Sequence, residues 1–446
     1  MSELLTRSEH RLRPDGSRTL CQLFVPGDET LIRGESRASA VTDRILALSD
    51  DEAERTLART LGRFSAGHRD LAGTLDRHFR LVQDLLGGDI PAGRTRRQLI
   101  GAYFSREYAL EAAALFNPSM VPDPDQAGCQ PGETRFIMSL RAVGEGHLSS
   151  IEFRTGTAGA DGSIRIDTAS PFAGTGNVQP VPGDRDLLGL NVGDLDAGGA
   201  GRLAAPGYLV EFDEDSALSE RVLWPASPAE SQGMEDARFV RCADGDDAIY
   251  YATYTAFDGS QVAPRLIQTR DFRSFIIAPL AGPAARNKGM AMFPRRIGPR
   301  FAALSRSDRE SNSIGYSADG YHWGDPVTVQ APERPWELTQ LGNCGSPIET
   351  PAGWLVFTHG VGPMREYAIG AVLLDLDQPE RLIGALPEPL LVADKSERDG
   401  YVPNVVYSCG ALLHGGKIVL PYGCSDSFVR FAVVDLDLLL GLLASG

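Results

Sequence analysis

The 446-residue chain lacks most of the signs by which a sequence announces a cofactor or a compartment. It has no CxxC and no Cys/His pair at zinc spacing. Its six cysteines, Cys21, Cys129, Cys242, Cys344, Cys409 and Cys424, read as buried thiols in a reducing cytoplasm. It has no Walker loop, GxGxxG or GxSxG, so neither a cofactor nor a metal is expected. It has no run of 18 apolar residues, because the C-terminal FAVVDLDLLLGLLASG is interrupted by Asp435 and Asp437. The opening MSELLTRSEHRLRPDG is charged throughout and has no apolar segment of the signal-peptide kind, which points to a cytoplasmic location. Positive charge is also short. Against 59 Asp and Glu stand 43 Lys and Arg, a net charge of -16. That field repels phosphate backbones, so neither nucleic acid nor an anionic membrane is expected as a partner. An anionic small substrate would need a local basic pocket.

What the chain does have is turn chemistry: 49 Gly and 29 Pro favour many short strands. The first hundred residues are the exception. ASAVTDRILALSDDEAERTLARTLGRF has Ser49 three residues before Glu52, a capping-box spacing. HRDLAGTLDRHFRLVQDLLGG puts Leu71, Leu75, Phe79, Val82 and Leu86 on one face and stops at Gly87-Gly88. TRRQLIGAYFSREYALEAAALF continues with helical period. About three helices are predicted in residues 1–112. Their apolar faces would pack on the rest of the chain or on a second copy, giving a homo-oligomer.

From residue 113 to 446 short β-type runs alternate with Gly, Pro, Asp and Asn clusters. Five segments resemble one another: SSIEFRTG (149–156), LIQTRDFRSF (266–275), SIGYSADGYHW (313–323), YAIGAVLLDLDQPER (367–381) and VRFAVVDLDLL (429–439). Each is a strand followed by an acidic or glycine turn. The expected fold is mainly β, a five-bladed propeller preceded by the helical region. Ligands of a propeller bind where the innermost strands converge, so functional residues should come from distant motifs.

Five such motifs carry unexpected polarity. Asn117 precedes Pro118 and should be extended, with its amide pointing sideways. In Gly233-Met234-Glu235-Asp236-Ala237-Arg238 the two carboxylates fall on opposite faces of a strand, and Arg238 shares a face with Asp236. Lys288 and Arg306 flank apolar strands and could converge on an anion. His359 ends an apolar strand, with Tyr367 shortly after it. Asn404 and Asp426 close the series. The set suits a polyhydroxylated ligand with an anion beside it.

Taken in order, these motifs resemble glycoside hydrolase family 130, the mannoside phosphorylases and related β-mannosidases. They are FNP, SLR, GxEDxR, KxxxxFP, a strand ending in Arg, PIxTxxGWLxxxHG, YxxGAxLLDLD, and NVV with YGxxD. The likeness runs from about Phe116 to Leu438 and implies a five-bladed propeller. It implies that Asp236 is the single catalytic acid, acting through a sugar hydroxyl. It puts Asn117, Arg141, Glu235, Arg238, Asn404 and Asp426 on the sugar, and Lys288, Arg306, His359 and Tyr367 on phosphate. One position departs: Gln340 stands where many phosphorylases carry Lys.

The resemblance implies β-mannoside oligosaccharide and inorganic phosphate as substrates, with inverting phosphorolysis to mannose 1-phosphate. An inverting hydrolase needs a second carboxylate to activate water, whereas phosphate is already a nucleophile and needs cations instead. Hydrolysis is therefore the alternative, with Glu349, Glu397 or Asp426 as the base. A non-catalytic glycan-binding propeller is the second alternative.

Overall fold

The computed structural model describes residues 4–26, 36–181, 207–244 and 247–445. The chain divides into two compact units. The smaller comprises Asp15–Ala112 and Ser170–Gly174; the larger comprises Met1–Pro14, Ala113–Ala169 and Thr175–Gly446.

The smaller unit holds α1 (Arg37–Leu46), α2 (Asp50–Phe64), α3 (Leu71–Leu86) and α4 (Arg94–Tyr103). Helix α2 begins on the Ser49/Glu52 capping box. Helix α3 ends at Gly87, whose φ of 69° is the left-handed closure that glycine permits without strain. Leu71, Leu75, Phe79 and Val82 are buried with Ile45, Ala53, Leu57, Leu99 and Ile100. Helices α3 and α4 approach so closely that a Cβ on Gly101 would stand 2.0 Å from the Leu75 carbonyl oxygen.

The expected third helical segment stops early. The Ser105 hydroxyl donates to the Gly101 carbonyl, giving the last turn an alternative to continued helix. Ser105–Ala109 is a strand paired antiparallel with Thr19–Leu23. Helical period from Thr95 to Phe116 therefore covers a helix and two strands, the second being Ala114–Pro122.

The larger unit is mainly β and is built from five antiparallel meanders. Their first three strands along the main path of each sheet are Ala114–Pro122, Glu133–Val143 and Ser149–Gly159; Gly233–Asp244, Asp247–Phe257 and Val262–Thr269; Ala291–Met292, Phe301–Ser305 and Asn312–Ser317; Gln340–Asn343, Gly353–Val361 and Tyr367–Leu374; and Val406–Tyr407, Lys417–Cys424 and Phe428–Asp435, with the short strands Ile348–Thr350 and Leu412–His414 pairing off that path. The first two meanders join in one sheet through a single parallel bridge, Ser149 to Gly233. All five similar sequence segments lie on, or begin in, the third strand of a meander.

The outer strand of the fifth meander comes from the opposite end of the chain. Leu5–Leu12 pairs antiparallel with Phe428–Asp435. The Arg7 guanidinium donates to the Val392 carbonyl at 2.7 Å, and Leu5 packs on the cluster that holds Val434 and Leu436. This corrects the expected boundary: residues 4–14 belong with the larger unit and not with a helical extension spanning 1–112. The terminal helix α5 (Leu436–Ser445) buries Leu436, Leu439 and Leu443. Among the described residues no helix is long and apolar enough to cross a membrane.

Candidate active site

The turns between second and third strands of the meanders gather around one pocket of about 550 Å3. Its walls include Arg141 from the first meander, Phe257 and Val262 from the second, Arg306 and Arg309 from the third, His359, Arg365 and Tyr367 from the fourth, and Asp426 from the fifth. Strand entries add Asn117, Asp236 and Gln340, with Asn287, Lys288, Val405 and Tyr407 beside them.

The backbone at this end is unusual. Six non-glycine residues that line the pocket have positive φ: Asn117, Asp236, Asn287, Arg309, Arg365 and Asp426. Such strain is held only where the surroundings over-determine it, and it concentrates at functional sites. Asn117 has φ 49°, not the extended backbone expected before Pro118. Asn tolerates the left-handed region, and the strand register slips between Phe116 and Ser119 to take up the turn. Glu235 and Arg238 bound a second slip of the same kind around Asp236. These two bulges aim Asn117 and Asp236 at each other, and the Asn117 amide donates to Asp236 Oδ1 at 2.7 Å.

Asp236 is thus held by several partners. Arg141 Nη1 lies 3.7 Å and Arg238 Nη2 lies 3.9 Å from its carboxylate oxygens. Burial pushes its pKa up, but Arg141, Arg238, Lys288 and the Asn117 amide outweigh burial and hold the carboxyl below its ordinary range. Asp426 contrasts with it. Burial and then the charge of Asp236 push the Asp426 carboxyl up to about 6, against Arg141 and Arg365.

Three of the eleven residues that the resemblance assigns to catalysis, sugar or phosphate do not line the pocket. Glu235 is buried beneath it, accepting from Arg141 Nη2 at 2.8 Å and from the Lys288 ammonium. Arg238 is buried behind Asp236, donating to the Cys344 carbonyl, the Asp236 carbonyl and the Tyr407 hydroxyl. Asn404 contributes backbone: its carbonyl accepts from the Tyr367 N–H at 2.9 Å. The other eight, Asp236, Asn117, Arg141, Asp426, Lys288, Arg306, His359 and Tyr367, share the pocket. Of the three carboxylates named as a base for water, only Asp426 is there. Glu349 pairs with Arg295, and Glu397 is buried against Tyr422 and Arg430.

The sequence reading missed Tyr407, Arg309 and Arg365. Tyr407 directly follows the Asn404-Val405-Val406 run, so its position was signalled. Arg309 and Arg365 sit in turns, where a cation ordinarily reads as a solvated surface charge.

The cation side is short of partners. Among the described residues Arg306 is buried and makes no ion pair, and its Nε has no hydrogen-bond acceptor. His359 is fully buried, and neither ring nitrogen meets a protein partner in hydrogen-bond geometry. Burial, then Arg306 and Arg238, hold the His359 ring well below its ordinary pKa, against a lesser opposing pull from the Asn343 backbone. Tyr367 stacks parallel to the ring with centroids 6.2 Å apart. Gly342 makes room for both groups: a Cβ there would stand 2.2 Å from Arg306 Cδ and 2.6 Å from His359 Cε1. Among the described residues no group of three or more His, Cys, Asp or Glu is placed to hold a metal ion.

A family model described as beta-1,4-mannooligosaccharide phosphorylase matches residues 213–445, just over half of the chain. The chain belongs to glycoside hydrolase family 130. The match includes Asp236, every pocket cation except Arg141, and Asp426. Relatives in the family include a 1,2-beta-oligomannan phosphorylase of Thermoanaerobacter sp. (strain X514). It is 31% identical over 236 residues, which is 52% of this chain and 78% of the relative. A beta-1,2-mannobiose phosphorylase of Listeria innocua is 32% identical over 219 residues, 46% of this chain and 58% of its own length. A solved glycosyl hydrolase from Bacteroides ovatus shares the fold with TM-score 0.50 at 18% identity, covering 74% of this chain and 86% of that one.

Proposed function

We propose that the chain is an inverting β-mannoside phosphorylase that transfers the terminal mannosyl unit of a manno-oligosaccharide to inorganic phosphate. In this reading the five meanders are the blades of a propeller, and the pocket is its central site. The observation that carries it is the buried Arg306 beside His359, whose Nε and ring nitrogens meet no protein partner among the described residues, in a chain of net charge -16. A buried unpaired cation is costly, and an anion relieves the cost. Lys288, Arg309 and Arg365 surround the same space, so Gln340, which also lines it, does not leave the site short of charge.

The chemistry then divides by side. Phosphate, held by Arg306, His359 and Lys288, attacks the anomeric carbon with one oxygen. The glycosidic C–O bond breaks, and its electron pair goes to the leaving oxygen. Asp236 supplies the proton through a sugar hydroxyl, and mannose 1-phosphate of inverted configuration leaves. Arg141, Arg238 and Lys288 hold the Asp236 carboxyl below its ordinary range. Arrival of phosphate offsets that positive charge, which moves Asp236 toward the protonated form that the reaction needs. Asn117, Arg141 and Asp426 contact the sugar.

Hydrolysis is the second reading, favoured by one observation. Asp426, with its raised pKa, is a carboxyl in the pocket that could take a proton from water. The test is to incubate β-1,2-mannobiose and β-1,4-mannobiose with and without phosphate. Mannose 1-phosphate formed only with phosphate supports the proposal. Free mannose released at an equal rate without phosphate overturns it in favour of the hydrolase. The six free cysteines fit a reducing, cytoplasmic setting for this activity.

A further inference from the structure

Beside the pocket, on the side of Asp426, stands an aromatic ring that the reaction above does not use. Tyr401 is 72% exposed, although large aromatic side chains normally bury most of their surface. Its backbone is nevertheless fixed. The Tyr401 N–H donates to Ser427 Oγ at 2.9 Å and the Val402 N–H donates to the Ser425 carbonyl at 3.0 Å. The segment is therefore pinned to the Ser425–Ser427 turn, which carries Asp426 into the pocket. A Cβ on Gly400 would meet Ser425 Cβ and Ser427 Oγ at 2.6 Å, so the seam between segment and turn is tight.

The ring also has a neighbour from another meander. The His147 ring lies with its centroid 5.7 Å from that of Tyr401, tilted by 40°. His147 tips the turn that follows Glu133–Val143, the strand of Arg141, and Gly146 and His147 are both left-handed there, at φ 65° and 60°. Two turns that flank the pocket thus bring an exposed pair of aromatic rings together beside it, on a pinned backbone.

We propose that Tyr401, backed by His147, is an outer sugar subsite that binds a further pyranose of the same oligosaccharide on the leaving-group side. The direction follows from the proposed reaction: the terminal mannosyl unit is transferred, so every further sugar of the chain belongs to the leaving group. The apolar face of a pyranose matches a flat aromatic ring, and a backbone already pinned leaves only side-chain freedom to lose on binding. A disaccharide ends within the pocket; a longer chain reaches the rim. This inference rests on the reading that the pocket takes manno-oligosaccharides.

The experiment compares kcat/KM for a β-mannobiose and the matching β-mannotetraose, at saturating phosphate, in the wild type and in Tyr401→Ala, Tyr401→Phe and Tyr401→Trp. The expected result is that Tyr401→Ala loses tetraose preference over biose by about five- to tenfold, through KM. Phe and Trp keep the preference, and His147→Ala reduces it by less than Tyr401→Ala. An unchanged ratio in Tyr401→Ala overturns the proposal, as does a ratio lost equally in Phe and Trp. If the wild type turns over neither sugar, the functional reading has failed. Calorimetric binding of mannotetraose to wild type and Tyr401→Ala then decides the rim alone, and equal affinities reject it.

Discussion

The two halves of the pocket differ in how completely they satisfy themselves. On the carboxylate side nearly every charge has a partner: Asn117 and Arg141 reach Asp236, Arg141 and Lys288 reach Glu235, and Arg238 is bonded three times behind them. On the cation side Arg306 and His359 are buried without partners. A satisfied half needs only hydroxyl groups from its ligand. An unsatisfied basic half needs an anion. On the proposed reading, one pocket therefore takes two different ligands, a polyol and phosphate, one against each half.

The largest effect should come from the point where the halves meet. Asp236→Asn keeps the size and the Asn117 contact but removes the transferable proton. Turnover of a β-mannobiose with phosphate should fall on the order of 10²–10⁴-fold. Near-normal turnover would place the acid elsewhere.

The next contrast sets an unsatisfied arginine against a satisfied one. Arg306→Ala removes a buried charge that pairs with nothing, so thermal stability without phosphate should hold or rise. The gain in melting temperature on adding phosphate should disappear, and the KM for phosphate should rise by about 10–100-fold. Arg238→Ala removes three hydrogen bonds to buried groups and should lower the melting temperature by several degrees. Equal destabilisation by both substitutions would erase the distinction between the halves.

Asp426 tests the carboxylate side from its other edge. Its folded pKa is raised to about 6, so the folded state binds this proton more tightly than the unfolded chain. Ionising it costs stability: the cost is absent below about pH 4 and complete above about pH 6. Asp426→Asn should therefore raise the melting temperature at pH 7.5, on the order of 1–3 °C, and leave it unchanged at pH 4. A gain of the same size at both pH values would show that the effect is not electrostatic.

How much of this was legible in the sequence depends on the kind of signal. Local chemistry read directly. Ser49 and Glu52 cap α2, Gly87 closes α3, and all five repeated segments map to third strands. Apolar patterning could not show that Leu5–Leu12 crosses to the last strand, because pairing between the two ends of a chain leaves no local trace. The site was legible where residues sit on strands. It was not where backbone strain sets direction: left-handed Asn117 contradicts the rule for residues before proline, and left-handed Arg309 and Arg365 bring loop cations to the pocket wall. Alternation placed Glu235 and Asp236 on opposite faces; the bulge between Glu235 and Arg238 is what buries one and presents the other.

The smallest effect should come from Gln340→Lys. Gln340 lines the pocket and pairs in register with Val361, while Gly342, two residues on, faces His359. A lysine at 340 thus adds a charge to the half that already carries Lys288, Arg306, Arg309 and Arg365. The added attraction acts in a solvent-open part of the site, where a single exposed pair is worth at most about 1 kcal/mol. The KM for phosphate should fall by about two- to fivefold at low ionic strength, and the gain should fade in 0.5 M salt. The same charge holds Asp236 more firmly ionised, so kcat should fall slightly as KM improves. A gain in phosphate affinity that salt does not weaken would mean that the lysine acts through direct contact and not through the field of the cation side. A phosphate KM unchanged at both salt concentrations would mean that the charge deficit at Gln340 is already made good by Arg309 and Arg365. Repeating the substitution in Arg309→Ala and Arg365→Ala backgrounds would then restore its benefit.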